Sequence, residues 1–142
     1  MLRFFFLSLI VAVLISCAPD SSDKAHPVIT TYSNAYNAKD LAAMKSLMHP
    51  DIEWISVNGN EIEVAISGKK ALSEAIKSFF EDPNMARGTH KGWSLNGDHV
   101  AVTETAHWTD KNGQARMQSA LTVYQFENNL IRRVYYYPAR QP

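Results

Sequence analysis

Residues 92–138 read GWSLNGDHVAVTETAHWTDKNGQARMQSALTVYQFENNLIRRVYYYP, and this stretch decides the fold. Asn96-Gly97 and Asn112-Gly113 are dipeptides that tolerate the positive φ angles of two-residue hairpin turns, and each lies between runs rich in Val, Thr, Tyr and Trp. Glu127-Asn128-Asn129 marks a third reversal. The stretch therefore predicts four successive antiparallel strands. Their runs of about 10 to 12 residues exceed the usual 5 to 6, so the sheet is expected to be long, twisted and curved. A curved sheet has a hollow side.

Upstream, the periodicity changes. Val28, Ile29, Tyr32, Ala35 and Tyr36 recur at helical spacing after Pro27, which predicts a helix over about 26–37. Asp40 suits the N-cap of a shorter helix with Leu41, Met44, Leu47 and Met48 on one face, ended by His49-Pro50-Asp51. Ile52 to Val57 and Glu61 to Ile66 alternate as two short strands around Asn58-Gly59. A third helix follows Ser67-Gly68, with Ala71, Leu72, Ala75, Ile76, Phe79 and Phe80 as its apolar stripe and Asp82-Pro83-Asn84 as its end. Helices grouped ahead of an antiparallel meander read as α+β, three helices packed on one face of a curved, mostly antiparallel sheet of about six strands.

The 142 residues suit one domain. Lys and Arg number 14, as do Asp and Glu, so charge gives no argument for nucleic acid. Six Tyr, six Phe and three Trp are a generous aromatic supply. The five His show no metal-ligand spacing, and no phosphate loop or nucleophile elbow is present, so neither a metal nor another cofactor is expected. The single cysteine, Cys17, excludes an internal disulfide.

Met1 to Ser16 reads as a secretion signal, with Arg3 before an apolar run from Phe4 to Ile15 that is too short to span a bilayer. Leu14-Ile15-Ser16-Cys17 resembles the lipobox of bacterial lipoproteins, which implies cleavage after Ser16 and a lipid on Cys17. An ordinary signal peptide with a chance cysteine is the alternative. Residues 17–24 read as the lipidated cysteine and a flexible tether, and residues 25–142 as the domain. The resemblance, with Ala18 after the cysteine, implies a cell-envelope protein, anchored in the outer membrane and facing the periplasm.

Tyr36-Asn37-Ala38-Lys39-Asp40, His49-Pro50-Asp51 before the Trp54 strand, Gly68 ahead of the third helix, and Phe126-Glu127-Asn128-Asn129-Leu130-Ile131 occur in an order that resembles the nuclear transport factor 2-like superfamily, in particular its SnoaL-like and ketosteroid isomerase-like members. That resemblance implies a cone: helices close one side of a bent sheet and leave a pocket. It names a place and not a reaction.

Alternation assigns the pocket wall. Val100, Val102, Glu104, Ala106 and Trp108 form the more apolar face of their strand and are expected inward. Glu104 is conspicuous there, because a carboxylate on an apolar face is costly unless paired. It suits a general acid or base, or it pairs with Arg116 or Arg133, or local twist turns it to solvent. Tyr36, Trp54, Trp93, Tyr124 and one or two of Tyr135, Tyr136 and Tyr137 are further lining candidates, Tyr136 foremost; alternatively these rings simply fill the cone.

The resemblance implies that Tyr32, eight residues before Asp40, donates a hydrogen bond to an oxyanion, while the bare residue pattern equally suits a core tyrosine. It also places the isomerase base at Ser56 and the second acid at Thr122, which are therefore expected to line the ligand pocket, although neither side chain can abstract a carbon-bound proton as a carboxylate does. Tyr137-Pro138-Ala139 lacks the acidic residue of many SnoaL-like cyclases.

The leading expectation is an envelope domain that binds a small, largely apolar molecule, without an assigned reaction. An acid–base enzyme using Tyr32 and Glu104 is the second, and a structural or partner-binding lipoprotein the third. The strand with Met117, Ser119, Leu121 and Val123 on its other face is apolar on both sides, which predicts a homodimer through the outer sheet face.

Overall fold

The computed structural model describes residues 24–139. Signal, lipobox and most of the tether lie outside them. Helices α1 (Pro27–Asn37) and α2 (Leu41–Leu47) lead into strands β1 (Met48–Asn58) and β2 (Glu61–Ser67), followed by α3 (Lys69–Glu81) and the meander β3 (Arg87–Asn96), β4 (His99–Thr109), β5 (Ala115–Glu127) and β6 (Leu130–Tyr136). The six strands form one sheet in the order β2-β1-β6-β5-β4-β3. All neighbours are antiparallel except β1 and β6, which run parallel. This is the α+β cone predicted above.

Local chemistry explains the element ends. Pro27 opens α1, where its missing N–H costs nothing. Asp40 caps α2 by accepting the Ala43 N–H at 2.9 Å. Gly68, at φ +89°, turns the chain into α3. Asn128 and Asn129 both adopt positive φ in the β5–β6 turn, as that two-residue reversal requires.

Three expectations need correction. The reversal at Asn112-Gly113 is a longer loop, Asp110 to Gln114, because the Asp110 carboxylate accepts the Asn112 and Gln114 N–H groups and organises it. His49-Pro50-Asp51 does not separate helix from strand. It lies within β1, in a stretch of irregular register against β6 where the missing Pro50 N–H breaks no ladder. The stripe of α3 is narrower than its spacing suggests: Leu72, Ser73 and Ile76 are buried, while Ala71 and Phe79 are exposed.

The core lies between helices and sheet. Ile29, Met44, Met48, Ile52, Leu72, Ile76, Val102, Ile131 and Val134 are fully buried in it. Each such aliphatic side chain contributes about 1.5–3 kcal/mol relative to exposure. Helix α1 packs on α2 and β3, and α3 on β1 and β2, so the region between α1 and the strands β4 and β5 is left to side chains alone.

Candidate functional site

A cavity of about 280 Å³ opens in that region. Helix α1 supplies Tyr32, Ser33 and Tyr36; α2 supplies Met44; β1 supplies Trp54; and β4, β5 and β6 supply Glu104 with Ala106, Tyr124 and Tyr136. The chain from Ala86 to His90 completes the wall. Asn37, the last residue of α1, fixes this wall to the helix. Its side chain donates to the Gly88 carbonyl at 2.8 Å and accepts the Gly88 N–H at 2.9 Å.

The polar centre is Glu104. His90 Nε2 lies 3.1 Å from its Oε2, and the Tyr124 hydroxyl donates to the same oxygen at 3.2 Å. Oε1 has no hydrogen bond among the described residues. The Glu104 side chain is 26 % exposed and that of His90 is 8 % exposed. The arginines considered for it are engaged elsewhere: Arg116 with Asp110 at 2.8 Å, and Arg133 with Glu53 at 2.7 Å. Neither reaches Glu104, because β4 and β5 place Arg116 beside Trp108 near the hairpin end, and Arg133 lies on β6 across from Gln125.

His90 was not among the residues singled out from the sequence. Alternation back from the buried Trp93 assigns Lys91 and Thr89 to the inner face, and leaves His90 outside. A β-bulge reverses that parity. Between Lys91 and Ser94 two residues, Gly92 and Trp93, stand opposite Val102 alone, with Gly92 at φ +67°. Trp93 and His90 therefore both turn inward, and His90 falls directly opposite Glu104. The only trace in the sequence is a glycine inside a strand pattern.

Of the residues expected at the site, Tyr32, Tyr36, Trp54, Glu104, Tyr124 and Tyr136 line this one cavity. Four others lie elsewhere. Ser56 is exposed, two residues beyond Trp54 toward the end of β1. Trp93 is buried in the core against His90, with ring centroids 5.7 Å apart. Thr122 is fully buried between Val102 and Tyr136 of its neighbouring strands. Trp108 lies past the cavity, where His107, Arg116 and Met117 line a separate surface depression. Cys17 is outside the described residues.

Aromatic contacts set the shape of the wall. Trp54 meets Tyr136 edge-on at 5.5 Å and stacks on Phe79 at 6.4 Å, while Tyr36 meets Phe80 at 5.5 Å. Burial holds the Tyr32, Tyr36, Tyr124 and Tyr136 hydroxyls above the ordinary phenol range, and the negative charge of Glu104 adds to the effect in each case. All four thus remain hydrogen-bond donors at neutral pH. Among the described residues the Tyr32 hydroxyl and the Trp54 indole N–H are buried without a hydrogen bond of good geometry, and the indole N–H lies near enough to the hydroxyl to offset part of its upward pKa shift. Unpaired donors of this kind cost about 1–3 kcal/mol each, which an acceptor brought by a ligand would recover. Among the described residues no group of three His, Cys, Asp or Glu side chains is placed to hold a metal ion.

Fold and cavity together define an α+β cone with an aromatic-lined cavity. A family profile for the SnoaL-like domain matches residues 29–134, and the chain belongs to that family. No match was found among curated proteins. Solved structures share the fold. A protein of ketosteroid isomerase-like fold from Catenulispora acidiphila, in complex with trimethylamine, is similar at 14 % identity and TM-score 0.66, over 81 % of this chain and 87 % of that one. The Δ5-3-ketosteroid isomerase from a Mycobacterium species is 20 % identical, with TM-score 0.62 and coverage of 78 % and 89 %. An NTF2-like protein of unknown function from Cytophaga hutchinsonii is 20 % identical, with TM-score 0.60 and coverage of 80 % and 96 %. At these identities the likeness is one of fold.

Proposed function

We propose that this domain binds a small, largely apolar molecule in its aromatic cavity, and that the ligand presents a hydrogen-bond acceptor to Tyr32 and Trp54. The observation that carries this reading is the pair of buried, unpartnered donors on the wall of one cavity. A ligand oxygen there satisfies both, and the surrounding rings bury the rest of the molecule. Ligand-observed NMR with a neutral ketone such as cyclohex-2-enone tests it. Binding is expected for the native chain, and Tyr32→Phe, which removes one neutral hydrogen bond, is expected to weaken it about two- to tenfold. Absence of binding, or equal affinity for the variant, overturns the reading.

A second reading, proton transfer, is favoured by one observation. The open Oε1 of Glu104 belongs to a carboxylate already fixed at Oε2 by His90 and Tyr124. Such a carboxylate suits a general base toward a carbon acid whose oxygen is held by Tyr32. Deuterium exchange at the α-carbon of a bound ketone, abolished in Glu104→Gln, is the expected sign.

The same proposal places the domain on a lipid at Cys17 in the bacterial cell envelope, at the outer membrane facing the periplasm, on the strength of Leu14-Ile15-Ser16-Cys17. It also includes a homodimer through the outer sheet face, supported by Met117 and Leu121, which are 47 % and 46 % exposed on that side of β5. A monomeric mass in solution scattering would exclude the dimer.

A further inference from the structure

We infer that the ligand of this cavity is a small organic cation, an alkylated ammonium group carrying a hydroxyl or carbonyl oxygen. The inference rests on the proposed binding reading and adds the charge of the ligand to it.

The polar centre of the cavity is a carboxylate with one oxygen open. Glu104 lies three-quarters buried among aromatic rings, and no arginine or lysine lies within ion-pair distance of it among the described residues. His90, its one basic neighbour, occupies Oε2 at 3.1 Å together with the Tyr124 hydroxyl and leaves Oε1 open toward the cavity. Arg87 also lines the cavity but is exposed, so solvent screens its charge, and it makes no ion pair with Glu104. A carboxylate in apolar surroundings is stabilised by a counter-charge, and among the described residues no arginine or lysine supplies one at Oε1.

The wall around Glu104 suits a specific kind of counter-charge. Tyr32, Tyr36, Trp54, Tyr124 and Tyr136 surround the same space. The negative faces of aromatic rings attract alkylated ammonium ions, whose methyl shells bury well against apolar surface, and Trp and Tyr are the strongest rings for this purpose. A strongly hydrated ammonium such as that of lysine is a poorer fit, because its N–H groups would exchange water for one open carboxylate oxygen and neutral hydroxyls. The volume of about 280 Å³ equals about nine waters at ~30 Å³ each, enough for a trimethylammonium head with a short oxygen-bearing arm. The unpartnered Tyr32 and Trp54 donors then take the oxygen, while rings and carboxylate take the charge.

The test compares choline with 3,3-dimethylbutan-1-ol, which has the same shape and hydroxyl but carbon in place of nitrogen. Isothermal titration of the full chain in non-denaturing detergent is expected to give choline an advantage of about tenfold over the neutral alcohol. Glu104→Gln is expected to bring the ratio of choline affinity to neutral-alcohol affinity down to about one, whichever way the two affinities themselves move. Equal or tighter binding of the neutral alcohol overturns the inference, as does failure of choline to bind. Binding of cyclohex-2-enone separates the two levels: if the enone binds and choline does not, only the cation is wrong. If neither binds, the cavity reading falls as well. The decisive comparison is made on the native chain, so a poorly folded variant does not obscure it.

Discussion

Asn37→Ala should loosen the wall of the cavity from its helix. The side chain makes two hydrogen bonds, of 2.8 and 2.9 Å, to the two backbone groups of Gly88, 51 residues away. Each such bond is worth about 1 kcal/mol net, and the Gly88 N–H and carbonyl left behind are partly buried, which raises the cost toward that of unsatisfied groups. Alanine at the end of α1 returns about 0.5 kcal/mol of helix propensity. The expected loss is therefore about 2–3 kcal/mol. Urea denaturation at constant m should show it as a midpoint lowered by about 1–2 M. Asn37→Asp keeps the acceptor for the Gly88 N–H but turns a carboxylate oxygen toward the Gly88 carbonyl at the C-terminal end of α1, so it should also fall below native stability. Both variants should also weaken cyclohex-2-enone, since α1 carries Tyr32 and Tyr36 and the segment it fixes carries His90. A loss below about 0.5 kcal/mol for alanine, or native stability for aspartate, would refute the assignment of a clamp.

Burial lowers the pKa of His26, which stacks on Phe126 at 4.5 Å, below the usual histidine value. The folded state thus binds fewer protons than the unfolded chain below about pH 6.5, so this contribution is complete above that value and is lost as pH falls through the folded pKa; the urea midpoint of the native chain should drop between pH 7.5 and 5 more than that of His26→Phe, and equal slopes would remove the claim. Gly92→Ala should cost about 1–2 kcal/mol from its left-handed backbone alone, because the new Cβ would stand 3.8 Å from Thr103 Oγ1, an ordinary contact; a thermal or urea measurement showing no loss would mean the bulge relaxes. Cys17→Ser should abolish incorporation of labelled palmitate and release the chain from the membrane fraction, whereas persistent labelling would exclude the proposed anchor.

The architecture was legible because it rests on local signals that tertiary contacts did not override. Asn128-Asn129, Asp40 and Gly68 adopt the turn and cap roles that their chemistry favours, and the helices end within a residue or two of their punctuation. Half the site was legible on the same grounds: alternation along β4 placed Glu104 inward, and the helical spacing from Tyr32 to Tyr36 placed both on the buried side of α1. What failed was alternation carried across an irregularity or past the end of the helical cover. Trp108 has the parity of Glu104 but lies beyond the cavity, and His90 has the opposite apparent parity until Gly92 is counted as an extra residue. The partner of Glu104 was missed for a related reason, since charge alone favours an arginine, whereas register selects the residue directly across the ladder.

Glu104 brings charge to the cavity from a strand other than those on which the resemblance places the isomerase carboxylates. The positions where the resemblance puts isomerase carboxylates hold Ser56, which is exposed, and Thr122, which is fully buried with its hydroxyl unpartnered. Neither can supply charge to the cavity. The charge comes from β4, next to the strand that carries Thr122, and is held by groups from both flanking strands, His90 of β3 and Tyr124 of β5. A carboxylate fixed from both sides of a ladder is rigid, because its supports are spaced by the sheet's own hydrogen bonds and not by a loop.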